Sequence, residues 1–321
     1  MKKPIMNTFR LMTPGLSAAT LLLAAFLSAA NPAAAQTAKD PGPTLGRIAE
    51  ERVIYLGHRE AAMPFSYVIP NFDPKSGGRD EVAGYSWEIC GKIAEALEKR
   101  VGQKIEVRPV TMPANTRIMM VKVGIADIEC GSSTNNVARQ KLVAFSNTFY
   151  VADVRIMVRK DKGIRSLADL NGRRVVTTLG TTADRLIKQQ AFARNLSIDY
   201  VIGRNHAESM ALMNEGKADA YVGDDTIIAA ERAGSPLRDQ LVFLDETLST
   251  EPYGLMLPRD DPQFKKLVDE VLVGLMQSGE LARLYDKWFM SPIPPRGINL
   301  QMPMSEKLKA AIANLDDKPE N

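Results

Sequence analysis

The segment Glu129–Lys141 gathers side chains that could bind a carboxylate. It reads E-C-G-S-S-T-N-N-V-A-R-Q-K, so three hydroxyls at Ser132–Thr134 precede the amides of Asn135 and Asn136 and the guanidinium of Arg139. Hydroxyl and backbone N–H groups at the start of a helical turn, together with one arginine, suit a carboxylate. The alternative is an ordinary turn, in which serine and asparagine only cap a helix.

The residues before this segment predict the elements that hold it. The apolar run Val121–Ile128 predicts a buried strand that leads into the segment. Further upstream, predicted strands at Val53–Leu56 and Ile105–Val110 enclose a predicted helix over Ser86–Val101. Strand and helix alternate here as they do in an α/β fold built on an open sheet.

The alternation restarts after the segment. Strands are predicted at Val154–Val158 and Val175–Thr178, and two helices near the C-terminus follow them. Two α/β units, with the second inserted into the first, explain this order. The chain would then cross between the units twice, near Phe149–Ala152 and near Thr250–Tyr253. Two such crossovers predict a hinge, and a hinge between two lobes predicts a closing cleft.

The length of 321 residues is sufficient for two lobes, each with its own core. The predicted organisation is a signal peptide at 1–35, a linker at 36–44, lobe 1 at 45–151 and 252–296, lobe 2 at 152–251, and a polar C-terminal tail at 297–321.

The first thirty-five residues predict export. Lys2, Lys3 and Arg10 give a positive start, Leu16–Ala30 is apolar, and Ala33–Ala35 offers small residues for cleavage. The apolar run is short for a membrane anchor. Because no cysteine lies near the cleavage point, no lipid anchor is expected. The mature chain is expected to be free in the periplasm.

Charge argues against nucleic acid as a partner. The net charge is +3, and removal of the three positive charges of the leader brings it to about zero. No basic patch remains of the kind that nucleic-acid binding needs. No metal-ligand spacing and no phosphate-binding loop occur in the sequence, so we expect neither a metal nor a cofactor.

Two cysteines occur, Cys90 and Cys130. In an oxidising compartment such a pair favours a disulfide. Two independent buried thiols are the alternative, because a sequence does not give the Cα separation that a bridge requires.

With its continuation to Ser146, the segment Glu129–Lys141 resembles the binding loop of periplasmic amino-acid-binding proteins, which are family 3 extracellular solute-binding proteins. Within that family the chain is most similar to the glutamate/aspartate-binding members of ABC importers. Further matching motifs are Gly57–Glu60, Pro64–Tyr67, Gly84–Ser86, Gly180–Thr182, Asp261–Leu267 and Asp286–Phe289. The resemblance implies the type II two-lobe fold, with two open sheets flanked by helices and joined by a two-segment hinge.

The resemblance also implies how the α-amino-acid end of a ligand would be held. Arg139 would bind the α-carboxylate, with help from Ser132 and Thr134 in lobe 1 and from Thr182 in lobe 2. Asp224 would bind the α-ammonium.

The resemblance places Arg59, Arg117 and His206 around the side-chain carboxylate. Charge counting supports this set independently, because three arginines and one aspartate complement two carboxylates and one ammonium. A glutamine ligand would leave an arginine facing an uncharged amide in a dry site, which is unfavourable.

Each assignment has an alternative. Arg59 and Arg117 could be surface residues, as most arginines are. Asp224 could cap a helix while Asp225 binds the ligand, and His206 could be an ordinary polar loop residue.

One position departs from the pattern of the family. The family places a serine three residues before the arginine that matches Arg117, whereas this chain has Ala114 there. The missing hydrogen bond is either lost or supplied by Thr116. The preference between glutamate and aspartate therefore stays open.

The sequence thus predicts a monomeric periplasmic protein that binds L-glutamate or L-aspartate and delivers it to the permease of an ABC importer, without catalytic residues. The alternative is a periplasmic enzyme on the same fold, similar to cyclohexadienyl or arogenate dehydratases. Glu60 and Glu129 follow predicted strands, but no histidine–carboxylate pair accompanies them. A sensory ectodomain would need a transmembrane partner that this sequence lacks.

Overall fold

The computed structural model describes residues 41–70 and 80–320. The predicted signal peptide, most of the predicted linker, residues 71–79 and the last residue of the predicted tail lie outside the described residues. Within the described ranges the chain forms two five-stranded sheets and one small three-stranded sheet.

Ten α-helices occur in the described ranges: α1 Pro43–Glu51, α2 Tyr85–Val101, α3 Arg117–Lys122, α4 Val137–Gln140, α5 Thr182–Ala193, α6 His206–Asn214, α7 Asp225–Ala233, α8 Pro262–Gln277, α9 Glu280–Tyr285 and α10 Glu306–Asn314. A π-helix, Asp286–Met290, continues α9. None of the described helices combines the length and the apolar character that crossing a bilayer requires.

The first helix begins earlier than the predicted end of the linker at residue 44. It starts at Pro43, because proline is favoured in the first helical turn. The N–H group of Thr44 donates to Asp261 Oδ2 at 2.9 Å, which ties this start to the beginning of α8.

Thirteen strands are described: β1 Val53–His58, β2 Ala61–Ala62, β3 Ser66–Ile69, β4 Glu81–Ala83, β5 Glu106–Thr111, β6 Ile128–Glu129, β7 Ala144–Phe145, β8 Tyr150–Arg159, β9 Arg174–Thr178, β10 Asp199–Gly203, β11 Ala220–Asp224, β12 Leu241–Tyr253 and β13 Met256–Leu257. The small sheet is the antiparallel set β2, β3 and β4.

The first large sheet has the strand order β5-β1-β6-β13-β7. Strand β1 pairs in parallel with β5 and β6, while β13 runs antiparallel to its neighbours β6 and β7. Residues such as Ile54, Ile89 and Phe264 from β1, α2 and α8 form one continuous core. A second cluster that includes Met112, Phe145 and Met256 forms a separate core.

The strand predicted over Val121–Ile128 is shorter than expected. Val121 lies in α3, and only Ile128–Glu129 pair as a strand. Gly124, with a φ of +76°, follows the end of α3, a backbone conformation that glycine adopts without steric penalty. The apolar run therefore joins the buried end of a helix to a short strand, which hydrophobicity does not distinguish from one long strand.

The second large sheet has the order β10-β9-β11-β8-β12. Strands β9, β10 and β11 are parallel, and β8 and β12 run antiparallel to their neighbours. Val154, Ile156 and Val158 pack in one cluster while Met157 packs in another, since successive side chains of a strand point to opposite faces.

Strands β8 and β12 carry the chain into and out of the second sheet. They pair antiparallel from Tyr150 opposite Tyr253 to Arg159 opposite Leu241. All strands of the second sheet lie between Tyr150 and Tyr253, and those of the first lie on either side of that range.

Cys90 in α2 is bonded to Cys130, which follows β6, with the two Cα atoms 6.1 Å apart. The bond links α2 to the start of the segment Glu129–Lys141.

The C-terminal tail is structured in its described part. In α10, Lys307 Nζ donates to Asp153 Oδ1 and Thr250 Oγ1, both at 2.9 Å, so this helix is fastened to β8 and β12. Further on, Glu320 forms an isolated parallel bridge with Asn136. The described part of the tail therefore runs past both crossing strands and reaches the predicted binding loop.

Candidate functional site

The predicted site residues follow the carboxyl ends of strands in both large sheets, where α/β folds place their ligands. All of them are buried, including the two arginines that could have been surface residues. They are Arg59, Arg117, Ser132, Thr134 and Arg139 after β1, β5 and β6, and Thr182, His206 and Asp224 after or at the end of β9, β10 and β11.

The loop that follows β6, residues 130–141, presents Arg139 to the interior. Asn136 Oδ1 accepts a hydrogen bond from the N–H group of Arg139 at 2.9 Å and caps the short helix α4. The guanidinium then turns back, and its Nη1 donates to the carbonyl oxygen of Thr134 at 2.9 Å. The turn is thus a capped one, and it also orients a buried arginine.

Two more arginines lie near Arg139. Nη1 of Arg117 lies 3.5 Å from Glu129 Oε1 and donates to the carbonyl oxygen of Ser132 at 3.3 Å. Burial, with the charge of Arg117 adding to it, lowers the pKa of Arg59 to about 9 and that of Arg139 to about 10. Burial away from water disfavours the charged form of a cation, and a neighbouring positive charge disfavours it further.

Unpartnered polar atoms concentrate at the same place. Seven buried side-chain atoms of the described residues lack a hydrogen-bond partner, and five of them belong to Arg59, Arg117, Glu129 and Asp224. They are Nε and Nη1 of Arg59, Nε of Arg117, Oε1 of Glu129 and Oδ1 of Asp224. Since buried polar atoms normally have partners, three donors and two acceptors without hydrogen bonds in one region fit a ligand with charges of both signs.

Glu251 on strand β12 also belongs to this region, and the sequence analysis missed it. Its carboxylate is 1% exposed and accepts hydrogen bonds from the hydroxyls of Thr134 and Thr182, the latter at 2.7 Å. The sequence predicts site residues directly after strands, whereas Glu251 lies within a strand that crosses between the sheets. The one available signal was an acidic residue within the predicted crossover Thr250–Tyr253.

Asp224 has a buried carboxylate oxygen, Oδ1, without a hydrogen-bond partner. Asp225 Oδ1 accepts from the N–H groups of Thr226 at 2.7 Å and Asp153 at 3.3 Å. Asp224 stands at the N-cap position of α7 but makes no capping bond with its side chain, and it accepts from the hydroxyl of Tyr253 instead. Burial and the nearby charge of Glu251 raise the pKa of Asp224 to about 7.

His206 begins α6 and is hydrogen-bonded inside the second sheet. Its Nδ1 lies 2.9 Å from the Tyr221 hydroxyl and 3.3 Å from Thr178 Oγ1. Burial, together with the charges of Arg59 and Arg117, lowers the pKa of His206 well below its usual value. The imidazole is therefore neutral at neutral pH.

Thr116 does not replace the serine that the family pattern places at residue 114. Ala114 is buried, whereas Thr116 is exposed and its hydroxyl donates to the carbonyl oxygen of Pro113 at 3.4 Å. The hydroxyl turns back on the loop that precedes α3, so it is not available to the site.

The loops of the two large sheets meet across the site. Thr134 Oγ1 lies 3.4 Å from Thr182 Oγ1, and Asn205 Nδ2 donates to Glu60 Oε2 at 3.1 Å. These contacts describe a closed cleft. In the part of the chain that the structure describes, no group of histidine, cysteine and acidic side chains could hold a metal ion.

Sequence comparison identifies a family. The model of the bacterial extracellular solute-binding proteins, family 3, matches residues 54–291. The chain is 36% identical over 304 residues to the glutamate/aspartate import solute-binding protein of Escherichia coli K12, covering 94% of this chain and 98% of the relative. It is 38% identical over 300 residues to the L-glutamate/L-aspartate-binding protein of Pseudomonas aeruginosa PAO1, covering 93% and 95%.

Structure comparison agrees about the fold. The ancestral amino acid-binding protein AncCDT-1, a precursor of cyclohexadienyl dehydratase, superposes with a TM-score of 0.64 at 26% identity, covering 77% of this chain and 99% of its own. The fold is therefore the predicted type II periplasmic binding protein fold.

Proposed function

Since this chain belongs to the bacterial extracellular solute-binding proteins of family 3, we propose that it binds L-glutamate or L-aspartate in the cleft between its two large sheets. The chain matches its curated relatives over nearly their whole length, and these relatives are solute-binding proteins. This chain is likewise a solute-binding protein and not an enzyme. The observation that carries the proposed ligand is the meeting of buried arginines and a buried carboxylate, with unpartnered atoms on both.

The ion pairing of the site favours a ligand with two carboxylates. Arg117 already has a carboxylate partner in Glu129, 3.5 Å away. Among the described residues, neither Arg59 nor Arg139 has a carboxylate within 4.0 Å. These two guanidinium groups have only more distant acidic charges around them and match two carboxylates, so Arg139 would bind the α-carboxylate and Arg59 the side-chain carboxylate. Glutamine would leave the charge of Arg59 unpaired in a dry site.

The α-ammonium matches Asp224. Its Oδ1 is buried and unpartnered, and the acidic charge of Glu251 lies nearby. Thr134 and Thr182 were predicted to assist the α-carboxylate, but their hydroxyls already donate to Glu251. A hydroxyl has one proton, so both oxygens would accept from the ammonium instead. The N–H groups at the start of α5 would serve the α-carboxylate.

Closing of the cleft would couple binding to transport. Arg139 and Arg59 would hold the ligand from the first sheet, and Asp224 would hold it from the second. Such a ligand binds most tightly when the two sheets are close together, so it favours the closed form. Strands β8 and β12 would be the hinge. The closed form would be recognised by the permease of an ABC importer, and the protein would act as a periplasmic monomer released from its signal peptide without a lipid anchor.

Titration calorimetry with L-glutamate, L-aspartate, L-glutamine and L-asparagine tests the ligand. We expect both acids to bind, and both amides to bind about 100-fold more weakly because a buried guanidinium loses its partner. Binding of glutamine as tight as that of glutamate would contradict the proposal.

The variant Arg139→Ala tests the anchor. It should abolish binding of L-glutamate and leave the protein folded, because it removes the group proposed to hold the α-carboxylate. Arg165→Ala is the matched control, since Arg165 is exposed and lies in the second half of the chain. Retained affinity in Arg139→Ala would show that the α-carboxylate is held elsewhere.

A further inference from the structure

Glu251 is a buried carboxylate that is surrounded by hydroxyls. Its Oε2 accepts from Thr134 and, at 2.7 Å, from Thr182, and its Oε1 accepts from Ser249 at 3.2 Å. No lysine, arginine or histidine of the described residues lies within 4.0 Å of it. Taking an ionised carboxylate out of water without a cation is unfavourable, so a charge in this position calls for an explanation.

The position of Glu251 on the fold is informative. It lies on β12, opposite Ala152 of β8. These two strands join the half of the molecule that contains the first large sheet to the half that contains the second. Thr134 comes from the loop after β6 in the first sheet, whereas Thr182 begins α5 beside the second sheet. A single oxygen atom of Glu251 therefore joins a side chain from each half where the two halves meet.

The hydrogen bonds fix the direction of two hydroxyls. An ionised carboxylate only accepts, so Thr134 and Thr182 must both spend their one proton on Glu251. Their oxygens are left with lone pairs only. Such a pair of oxygens can accept hydrogen bonds from an ammonium group but cannot donate to a carboxylate.

We propose that Glu251 is a positioning residue for the ammonium group of the ligand. It holds the hydroxyls of Thr134 and Thr182 as acceptors and adds a negative charge near Asp224. The ammonium of a bound ligand would in turn place a positive charge beside this buried carboxylate, in addition to the more distant charge of Arg139. The inference rests on the proposed function, since it takes an α-amino acid as the ligand.

The variant Glu251→Gln tests this role, because it keeps the size of the side chain and removes the charge and one acceptor. An amide oxygen in the place of Oε2 can still accept both hydroxyl protons, but as a neutral acceptor it forms weaker bonds, and the NH2 group replaces the oxygen that accepts from Ser249. We expect the affinity for L-glutamate to fall about 10- to 100-fold, as charge-assisted hydrogen bonds are lost. Ser249→Ala is the matched control, since it removes only the bond to Oε1, and should leave the affinity within about threefold.

A comparison of ligands separates positioning from a merely structural role. Glutarate has both carboxylates of glutamate and no ammonium. Calorimetry gives the affinity of L-glutamate, and protection against thermal unfolding at high ligand concentration ranks the weaker binding of glutarate. Under the proposal Glu251→Gln weakens L-glutamate binding much more than glutarate binding. Equal losses for the two ligands, or no loss for L-glutamate, would overturn it.

A double-variant cycle with Thr134→Val gives a second test. If Glu251 acts through the Thr134 hydroxyl, Glu251→Gln should weaken L-glutamate binding less in the Thr134→Val background than in the wild type. Additive losses would overturn the proposed role. Failure of the wild type to bind L-glutamate would instead contradict the proposed function, so the two failures are distinguishable.

Discussion

Arg117 and Glu129 form a buried ion pair, in which Nη1 lies 3.5 Å from Oε1 and the side chains are 3% and 0% exposed. The pair explains why three arginines can share one cleft, because one of the three charges is compensated within the protein. Ser133 Oγ donates to the other oxygen of Glu129 at 2.7 Å and holds the carboxylate in place.

Glu129→Gln should destabilise the ligand-free protein and enlarge the stabilisation that a ligand gives. It leaves the charge of Arg117 buried without its partner, and removing one member of a buried pair typically lowers the free energy of unfolding by about 3–5 kcal/mol. A bound acidic ligand would restore part of that compensation. The measurement is denaturant unfolding with and without saturating L-glutamate.

The control for this variant is Glu106→Gln, which removes the exposed ion pair between Glu106 and Arg108, 2.9 Å apart. Exposed pairs contribute little to stability, so its effect should be much smaller. A Glu129→Gln variant as stable as the control would show that Arg117 does not depend on Glu129.

Affinity for L-glutamate should rise with pH and level off above about pH 7. Burial and the charge of Glu251 raise the pKa of Asp224 to about 7, and the ammonium group of a ligand prefers the ionised carboxylate. Below that pKa, binding must displace a proton, so the affinity should fall about tenfold for each pH unit. Calorimetry between pH 5 and pH 8 measures the slope.

Two variants identify the titrating group. Asp224→Asn should weaken binding and flatten the pH dependence, because no proton remains to be displaced. Burial also raises the pKa of Glu231 to about 7, yet we expect Glu231→Gln to leave the slope unchanged, since nothing places this group against the ligand. A slope that survives Asp224→Asn would assign the proton to another residue.

Gly180→Ala should hinder closure of the cleft. A Cβ atom at Gly180 would lie 2.4 Å from the Cα atom of Asn115, which belongs to the loop before α3 in the other half. We expect the affinity for L-glutamate to fall at least about tenfold, because a backbone contact cannot yield as a flexible side chain would. Small-angle scattering with ligand should then report a more open shape than that of the wild type.

Gly172→Ala is the matched control for this steric effect. Gly172 has a φ of +73°, close to the +79° of Gly180, and no atom lies within 4 Å of a Cβ atom built there. Both variants should lose about 1 kcal/mol of stability from the left-handed backbone. Equal affinities in the two variants would mean that the contact between Gly180 and Asn115 does not limit closure.

Deletion of residues 316–321 should weaken ligand binding while the protein stays folded. The N–H group of Glu320 donates to Asn135 O at 2.9 Å, and the N–H group of Val137 donates to Glu320 O at 3.1 Å, so the tail pairs with the loop that holds Thr134 and Arg139. Loss of several backbone bonds of about 1 kcal/mol each should loosen this loop and lower the affinity about tenfold.

Asp317→Ala is the control for the deletion. Asn135 Nδ2 donates to the carbonyl oxygen of Asp317 at 2.7 Å, and this bond survives the loss of the side chain. Calorimetry should therefore find near wild-type affinity in Asp317→Ala and weaker binding in the deletion. Unchanged affinity in the deletion would mean that the loop is held without the tail.

The sequence determined the architecture and the set of charged residues. Alternating strands and helices predicted two open sheets, and polar residues after the strands predicted where both sheets carry their ligand groups. These features depend on local periodicity and on the residues next to each strand end, which a sequence displays directly. The resemblance of the motifs to one family supplied the roles.

Only the tertiary structure decided how the charges are paired. Arg117 and Glu129 are far enough apart along the chain that nothing local joins them, and Glu251 reaches Thr134 and Thr182 across 117 and 69 residues. The tail was expected to be a polar end, but it contains α10 and pairs with the binding loop. Burial and long-range contacts set which arginines remain uncompensated and which hydroxyls can accept, and both depend on the folded arrangement of distant segments.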